Sequence, residues 1–419
     1  MKRSHASWHW ALYDWANSAF ATSVMAGFFP VFLKQYWSNS DPALSTFRLG
    51  NANGLAALVI LILAPVLGAI ADRRGGNKSF VGAFAALGVL ATAGLYFVDR
   101  GGWPAAISLY VAGMIGFAGA NVFYNAMLVH IAPAERWDTL SARGYALGYL
   151  GGGLLFALNV AMALRPAWFG LADTAAAVRL GFLTTAAWWA LFTLPLLLWV
   201  PEPAAARVPW FGAVHDSLRE LRTTFRAVRR LRTVWLFLLA YWLYIDGVNT
   251  VIAMAVDYGL SRGLNASNLI AALLITQFVS FPSAIAFGRI GVAIGPRRAI
   301  GIGIVVYVAA TIWAVFLQSA LDFYTLAIIV GLVQGGVQSL SRSYYARLIP
   351  AGRSAEFFGF YGIVGKASAV IGPFLVGWVG LLTRSPQLSI ASVIVLFAIG
   401  GSLLAAMPAV RSDANLVRV

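Results

Sequence analysis

Polar residues that stand inside long apolar stretches are the candidates for chemistry in this sequence. The segment LYDWANSAF places Asp14 and Asn17 in an otherwise apolar run near the start of the chain. A later run contains Asp246, Asn249 and Thr250, so both runs show an aspartate, an asparagine three residues on, and then a hydroxyl residue. Ionisable residues in such runs usually face a protein interior or a wet cavity. The repeat predicts a duplicated polar site.

A second pair of runs carries polar residues at matching positions. When the prolines that follow these two runs are aligned, Asn121 corresponds to Gln338 and Asn125 to Arg342. A lysine, Lys366, lies deep in a later apolar run. The candidates for binding a substrate or a coupling ion are therefore Asp14, Asn17, Asn121, Asn125, Asp246, Asn249, Gln338, Arg342 and Lys366.

The two aspartates allow several roles that the sequence leaves open. Asp14 or Asp246 could bind and release a proton as its surroundings alternate between wet and dry. Each could instead pair with Arg342 or Lys366 in one conformation only, which would bias the two states. A permanent ion pair or a cap on a broken helix is the structural alternative. Arg342 is always charged, so it suits either a substrate carboxylate or an internal partner such as Glu356.

The composition excludes most soluble classes of protein. Of the 419 residues, 60% are hydrophobic and 11% are charged, whereas soluble domains carry about 25% charged residues. The absence of cysteine excludes disulfides, thiolate metal sites and cysteine nucleophiles. The net charge of +15 resides mostly in short loops between apolar runs, which indicates cytoplasmic loops of a membrane protein rather than a nucleic-acid-binding surface. We expect no metal and no cofactor.

Twelve apolar runs are long enough to cross a bilayer, which takes about 20 residues. They lie near 10–36, 49–71, 79–98, 104–131, 141–164, 177–200, 234–260, 267–291, 299–318, 323–349, 356–382 and 387–408. The predicted fold is all-α, with two six-helix halves, 1–200 and 234–419. Since most lysines and arginines lie on the side of the termini, we expect both termini to be cytoplasmic. The connector 201–233 is basic and amphipathic, and is either a helix at the membrane surface or a solvated tether.

Two loops between helices carry a further signal. The loop after the second run reads GAIADRRGGNK and resembles the G-x-x-x-D-R-x-G motif of the major facilitator superfamily. A degenerate copy without the aspartate follows the eighth run. Such loops offer charges to neighbouring helix ends and favour one conformation. The residues assigned to this role are Gly68, Asp72, Arg73, Gly75, Arg289, Arg297 and Arg298.

Three longer motifs narrow the resemblance to one branch of that superfamily. YDWANSAF (13–20), GGVQSLSRSYY (335–345) and EFFGFYG (356–362), the last followed by Gly365 and Lys366, resemble the vacuole-effluxer-like, or "unknown major facilitator", family. The resemblance implies the twelve-helix major facilitator fold, a central cavity lined by helices 1, 4, 7 and 10, and export of amino acids or similar metabolites. Glu356, in the third motif, is the candidate for an ion pair at a cytoplasmic gate.

The sequence as a whole therefore predicts a monomeric secondary transporter of the inner membrane. Its expected cargo is a small zwitterion moved by alternating access, with protons as the candidate coupling ion. A drug or other organic-solute exporter of the same fold is one alternative. A passive channel is another, and a membrane-embedded acyltransferase is a third because His9 and Asp14 show H-x-x-x-x-D spacing.

Overall fold

The structure, a computed structural model, describes residues 2–38, 42–74, 76–202, 231–261, 264–368 and 371–408. These residues form twelve helical units. Helix α1 (Lys2–Ala19) continues through π-helical and α-helical turns to Trp37. The others are α2 (Pro42–Arg74), α3 (Asn77–Gly94), α4 (Trp103–Ile131), α5 (Trp137–Leu164), α6 (Thr174–Trp199), α7 (Arg232–Ser261), α8 (Ala266–Ile294), α9 (Pro296–Val315), α10 (Ala320–Leu348), α11 (Ser354–Ala367 followed by Ile371–Thr383) and α12 (Pro386–Ala391 followed by Ile394–Ala406).

Eleven of the described helices are long and apolar enough to cross a membrane, and Ile371–Thr383 is a shorter apolar helix. The all-α, twelve-span architecture predicted from the sequence is confirmed. The predicted run 356–382 is occupied by two described helical segments, Ser354–Ala367 and Ile371–Thr383. Most of the connector, residues 203–230, lies outside the described residues, and so does its predicted amphipathic helix.

The direction of the helices defines the two ends of the bundle. Because consecutive helices alternate in direction, residues 2 and 408 lie at one end, together with the α2–α3, α4–α5, α8–α9 and α10–α11 connections. We call this the terminal end and the opposite one the outer end.

Glycines on α5 bring this helix close to the polar face of α1. A Cβ added at Gly144 would lie 2.2 Å from Asp14 Oδ2, and one at Gly148 would lie 2.5 Å from the hydroxyl of Ser18. Helices that approach this closely need residues without side chains at the contact. Because these α5 glycines have no side chains, α1 packs directly against α5 at the level of Asp14.

The two halves contact each other along α2 and α11, and along α5 with α8 and α10. A Cβ added at Gly68 of α2 would lie 2.7 Å from the carbonyl oxygen of Ala355, at the start of α11. One added at Gly288 of α8 would lie 2.5 Å from Cβ of Ala142 on α5. Both contacts are near the terminal end, where the halves are packed backbone against backbone.

Candidate functional site

A cavity of about 480 Å³ lies between the two halves. Its walls come from α1, α4, α5, α7, α8, α10 and α11. They include seven of the residues singled out from the sequence: Asp14, Asn17, Asn121, Asn125, Asn249, Gln338 and Arg342. Asp246 does not line this cavity, and the side chain of Lys366 lies outside the described residues.

Arg342, on α10, is held entirely by the first half of the protein. Its Nη1 donates to Asp14 Oδ2 (3.2 Å) and Asn125 Oδ1 (3.1 Å). Its Nη2 donates to Asp14 Oδ2 (3.2 Å) and the carbonyl of Ser141 (2.9 Å), and Nε donates to the Ser141 hydroxyl (2.8 Å). These five bonds use all five N–H groups of the guanidinium. In this conformation Arg342 has no donor left for a substrate carboxylate.

Three aromatic rings enclose the guanidinium. Its Cζ lies 4.5 Å from the ring centroid of Tyr145, 4.9 Å from that of Trp10 and 5.5 Å from that of Tyr124. Arg342 is 1% exposed. Cation–π contacts partly replace the lost hydration of such a charge, and the exclusion of water strengthens its attraction to Asp14.

Asp14 turns one carboxylate oxygen to Arg342 and the other to the cavity. Oδ2 accepts from the Tyr124 hydroxyl (2.8 Å) and from both terminal nitrogens of Arg342. Oδ1 accepts no hydrogen bond from any side chain that the structure describes, and the Asp14 side chain remains 11% exposed. The ion pair therefore presents its negative end to the cavity.

Asp246, the counterpart of Asp14 in the sequence repeat, has a different environment. It is fully buried, and its two oxygens accept from the backbone amides of Ile371 (3.1 Å) and Gly372 (3.0 Å) and from the Thr250 hydroxyl (3.3 Å). These amides are the first of the helix Ile371–Thr383, where no preceding carbonyl is in position to accept. Asp246 therefore caps the second segment of α11.

The two aspartates differ because the helices packed against them differ. Against α1, helix α5 is continuous, so its amides at the crossing are bonded within the helix and Asp14 is left to pair with Arg342. Against α7, helix α11 begins a new segment, and a Cβ at Gly372 would lie only 1.8 Å from the hydroxyl of Thr250. A carboxylate at an exposed helix start takes the free amides.

The two repeated asparagines also bind different partners. Asn17 donates through Nδ2 to Asn121 Oδ1 (2.8 Å), within the first half. Asn249 donates through Nδ2 to the hydroxyl of Ser368 (3.1 Å), just before the second segment of α11. Gln338 accepts from the hydroxyl of Tyr149 across the interface between the halves (2.7 Å).

At the terminal end, α2 caps the first segment of α11. Asp72 Oδ1 accepts from the amide of Ala355 (2.9 Å) and Oδ2 from the amide of Glu356 (2.8 Å). Both segments of α11 therefore begin at an aspartate supplied by another helix. Among the residues that the structure describes, Glu356 forms an ion pair with Arg353 (2.9 Å), three residues earlier in the chain.

The charged pair that does cross the terminal end was missed from the sequence. Arg347 of α10 binds both oxygens of Asp138 on α5, at 2.7 and 3.0 Å. Asp138 also accepts from the hydroxyl of Ser343 (2.5 Å). Arg347 and Asp138 stand at helix ends, where charged residues are common, so spacing alone gave no reason to join them.

The remaining loop-motif residues are scattered. Arg289 and Arg298 are exposed, and Arg297 donates to the carbonyls of Met407 and Ala405, at the end of α12. The side chain of Arg73 and the whole of Gly75 lie outside the described residues. In the described part of the chain, Gly68 and Asp72 are the motif residues of the first half that contact the second half.

The histidine–aspartate pair of an acyltransferase is not assembled. The ring of His9 packs on Trp199, with centroids 4.9 Å apart, and His9 Nδ1 has no hydrogen-bond partner among the described residues. Asp14 is bonded to Tyr124 and Arg342 instead. A base oriented by a carboxylate is therefore missing from this arrangement.

Two six-helix halves around a cavity with polar walls define a transporter fold of the major facilitator type. The human organic anion transporter MFSD10 (TETRAN) has a similar structure, with a TM-score of 0.77 at 15% identity, over 96% of this chain and 100% of that one. The fucose:proton symporter FucP of E. coli has a TM-score of 0.69 at 11% identity, over 97% and 98% of the two chains.

The chain belongs to the family described as "Vacuole effluxer Atg22 like", which it matches over residues 51–137 and 129–416. It is 40% identical over 406 residues to the uncharacterized MFS-type transporter YxiO of Bacillus subtilis, covering 95% of this chain and 94% of that protein. Autophagy-related protein 22 of Yarrowia lipolytica is 28% identical over 57% of this chain. The match spans 45% of that fungal protein's length. The family resemblance predicted from the three sequence motifs is confirmed, and the protein is a multi-pass membrane protein.

Proposed function

We propose that the protein is a secondary transporter that moves a small zwitterion of the amino-acid class by alternating access. The observation that carries the proposal is the buried pair of Asp14 and Arg342, which joins the two halves at the wall of the central cavity. A carrier must break and remake such contacts when the cavity changes the side on which it opens.

The cavity lining supports this class of cargo. Among its described lining residues, Asp14 and Arg342 are the charged ones, and they neutralise each other. The other polar groups are carboxamides and hydroxyls, and the outer part of the wall is aliphatic and aromatic, with Leu273, Phe323 and Val330. A binding site with little net charge suits a solute with little net charge. The aliphatic wall suits an apolar side chain.

The contacts between the halves support alternating access. Those made by Asp72 with α11 and by Arg347 with Asp138 lie at the terminal end, so in this conformation the terminal end is closed beneath the cavity. Opening there would separate α2 from α11 and α5 from α10. It would also pull Arg342 away from Asp14, Asn125 and Ser141.

Protons are the coupling ion we propose, with Asp14 as their binding site. Protonation of Asp14 would remove the charge that neutralises Arg342 and so weaken the contact between the halves. The free Oδ1, turned to the cavity, is the oxygen that a proton could reach. Asp246 has no equivalent free oxygen among its described contacts, because amides and a hydroxyl occupy both.

Direction and location rest on the relatives and on the charge distribution. Export is the direction that we propose, from the family resemblance. The basic loops at the terminal end favour a cytoplasmic position for both termini in a cytoplasmic (inner) membrane. The halves 1–200 and 234–419 would rock as units around the cavity, joined by the connector 201–233, and one chain would suffice for transport.

The test is counterflow in proteoliposomes with radiolabelled L-leucine and a panel of other amino acids. A carrier shows saturable uptake that is accelerated by unlabelled solute inside, and Asp14→Asn should abolish the response of net uptake to an imposed pH gradient. Linear flux without counterflow would point to a channel. If counterflow occurs with organic anions or drugs and with no amino acid, the proposed cargo class is wrong but the carrier mechanism is supported.

A further inference from the structure

We propose that side-chain oxygens lining the cavity form a hydrogen-bond-accepting subsite for the primary ammonium group of the substrate. The subsite consists of Asp14 Oδ1 and Asn17 Oδ1 on α1, and it is extended by the side-chain carbonyls of Asn249 on α7 and Gln277 on α8. All four residues line the cavity. The inference rests on the proposed transport of a zwitterion and adds which residues hold each end of the substrate.

The orientation of Asn17 is fixed by the bonds of its neighbour. Asn121 donates through Nδ2 to the backbone carbonyl of Phe117 (3.0 Å), which can only accept. Its Oδ1 must therefore face Asn17, and Asn17 must present Nδ2 to it. The carbonyl oxygen of Asn17 accepts no hydrogen bond from the described residues, and it lies one helical turn from Asp14 on the same face of α1.

The same reasoning fixes Asn249. The hydroxyl of Ser368 donates its single proton to the carbonyl of Gly365 (2.8 Å), so it can only accept from Asn249. The amide nitrogen of Asn249 is therefore committed to Ser368. Its carbonyl oxygen is left with no donor among the residues that the structure describes.

Gln277 follows the same pattern. The hydroxyl of Thr22 donates to the carbonyl of Ser18 (2.8 Å) and accepts from Gln277 Nε2 (3.1 Å). Its Oε1 then has no donor within the described part of the chain. The side-chain amide nitrogens of Asn17, Asn249 and Gln277, on three helices, thus donate to protein atoms. Their side-chain oxygens accept no hydrogen bond from the described residues.

Two other carboxamides that line the cavity have the opposite polarity. Asn125 accepts from the guanidinium and Gln338 accepts from Tyr149, so neither amide nitrogen donates to a residue that the structure describes. A carboxylate has only acceptors and an ammonium group only donors. The carboxylate of a zwitterion therefore fits the amide nitrogens of Asn125 and Gln338. Its ammonium group fits the oxygens of Asp14 and Asn17.

The experiment compares binding of matched compounds to the purified full-length protein by thermal stabilisation. The compounds are L-leucine, N-acetyl-L-leucine, which has no ammonium, and 4-methylpentanoate, which lacks the amino group altogether. We expect leucine to bind at least tenfold more tightly than either analogue, since the loss of one charge-assisted hydrogen bond weakens binding by about tenfold. In Gln277→Leu and in Asn249→Leu the preference for leucine should fall by about tenfold. In Gln318→Leu, at an exposed position outside the cavity, it should not change.

Two results would overturn the inference while leaving the proposed function intact: equal binding of leucine and 4-methylpentanoate by the wild type, or an unchanged preference in both cavity variants. Having two variants on different helices guards against the misfolding of one. If neither leucine nor the other amino acids of the panel stabilise the wild type, the proposed cargo class is wrong and the ammonium subsite falls with it.

Discussion

Both terminal nitrogens of Arg342 lie 3.2 Å from Asp14 Oδ2, so a guanidinium on α10 is bonded to a carboxylate 328 residues away on α1. The bond crosses the interface between the two halves and is closed off by Trp10, Tyr124 and Tyr145. The ion pair therefore lines the cavity and also holds the two halves together.

The stability losses from removing the two members of the pair should be strongly non-additive. Asp14→Asn leaves a buried guanidinium without a counter-ion, which costs about 3–5 kcal/mol. In the double variant Asp14→Asn with Arg342→Gln, both charges are gone, so the loss of stability should be clearly smaller than the sum of the two single losses. The measurement is thermal unfolding in detergent for the four members of the cycle. Strict additivity would show that the two side chains do not interact.

Asp246 should affect the stability of α11 and not the pH dependence of transport. Asp246→Asn keeps one carbonyl oxygen for the amides of Ile371 and Gly372, so we expect a loss of about 1 kcal/mol, with a greater loss in Asp246→Ala. Both are read from thermal unfolding, and transport is measured against pH in proteoliposomes. An abolished pH response in Asp246→Asn, with unfolding unchanged, would assign the coupling proton to Asp246 instead.

A single methyl group on α5 should disrupt the ion pair. In Gly144→Ala the new Cβ would lie 2.2 Å from Asp14 Oδ2 and 2.9 Å from Arg342 Nη2. Because the methyl group displaces the carboxylate, we expect transport to be lost at normal expression levels. The matched control is Gly50→Ala on α2, where a Cβ meets nothing within 4 Å. Wild-type transport in Gly144→Ala would mean that α5 shifts freely away from α1.

Weakening the terminal-end pair should favour the conformation that is open at that end. Asp138→Asn removes the bidentate partner of Arg347. The chain has no cysteine, so a cysteine placed at Thr22, on the cavity wall, reports access without background labelling. We expect slower labelling of Thr22→Cys from the outer side by an impermeant thiol reagent when Asp138→Asn is added. Asp173→Asn, at the N-cap of α6, serves as the control. Equal labelling rates would show that Asp138 does not bias the conformation.

Local hydropathy was sufficient to predict most of the fold. A spanning helix is recognisable within its own 20 or so residues, because lipid demands apolar side chains over that length. The polar residues that interrupt these runs are equally visible in the sequence, and Asp14, Asn17, Asn125 and Arg342 do meet at one cavity. The sequence left open whether Asp246 caps a broken helix, because the amide of Ile371 that it binds lies 125 residues away.

The sequence by itself determined the membrane-spanning architecture, the family and seven of the polar residues that the cavity brings together. Only the tertiary structure decided what each of them binds. The repeat presents Asp14 and Asp246 as equivalents, yet a continuous α5 leaves the first to Arg342 and an interrupted α11 gives the second two free amides. The orientation of the Asn17 and Asn249 carboxamide groups is likewise set only by the residues to which they are hydrogen-bonded. Hydrogen bonding depends on positions within fractions of an ångström between helices distant in sequence, and no local pattern encodes those positions.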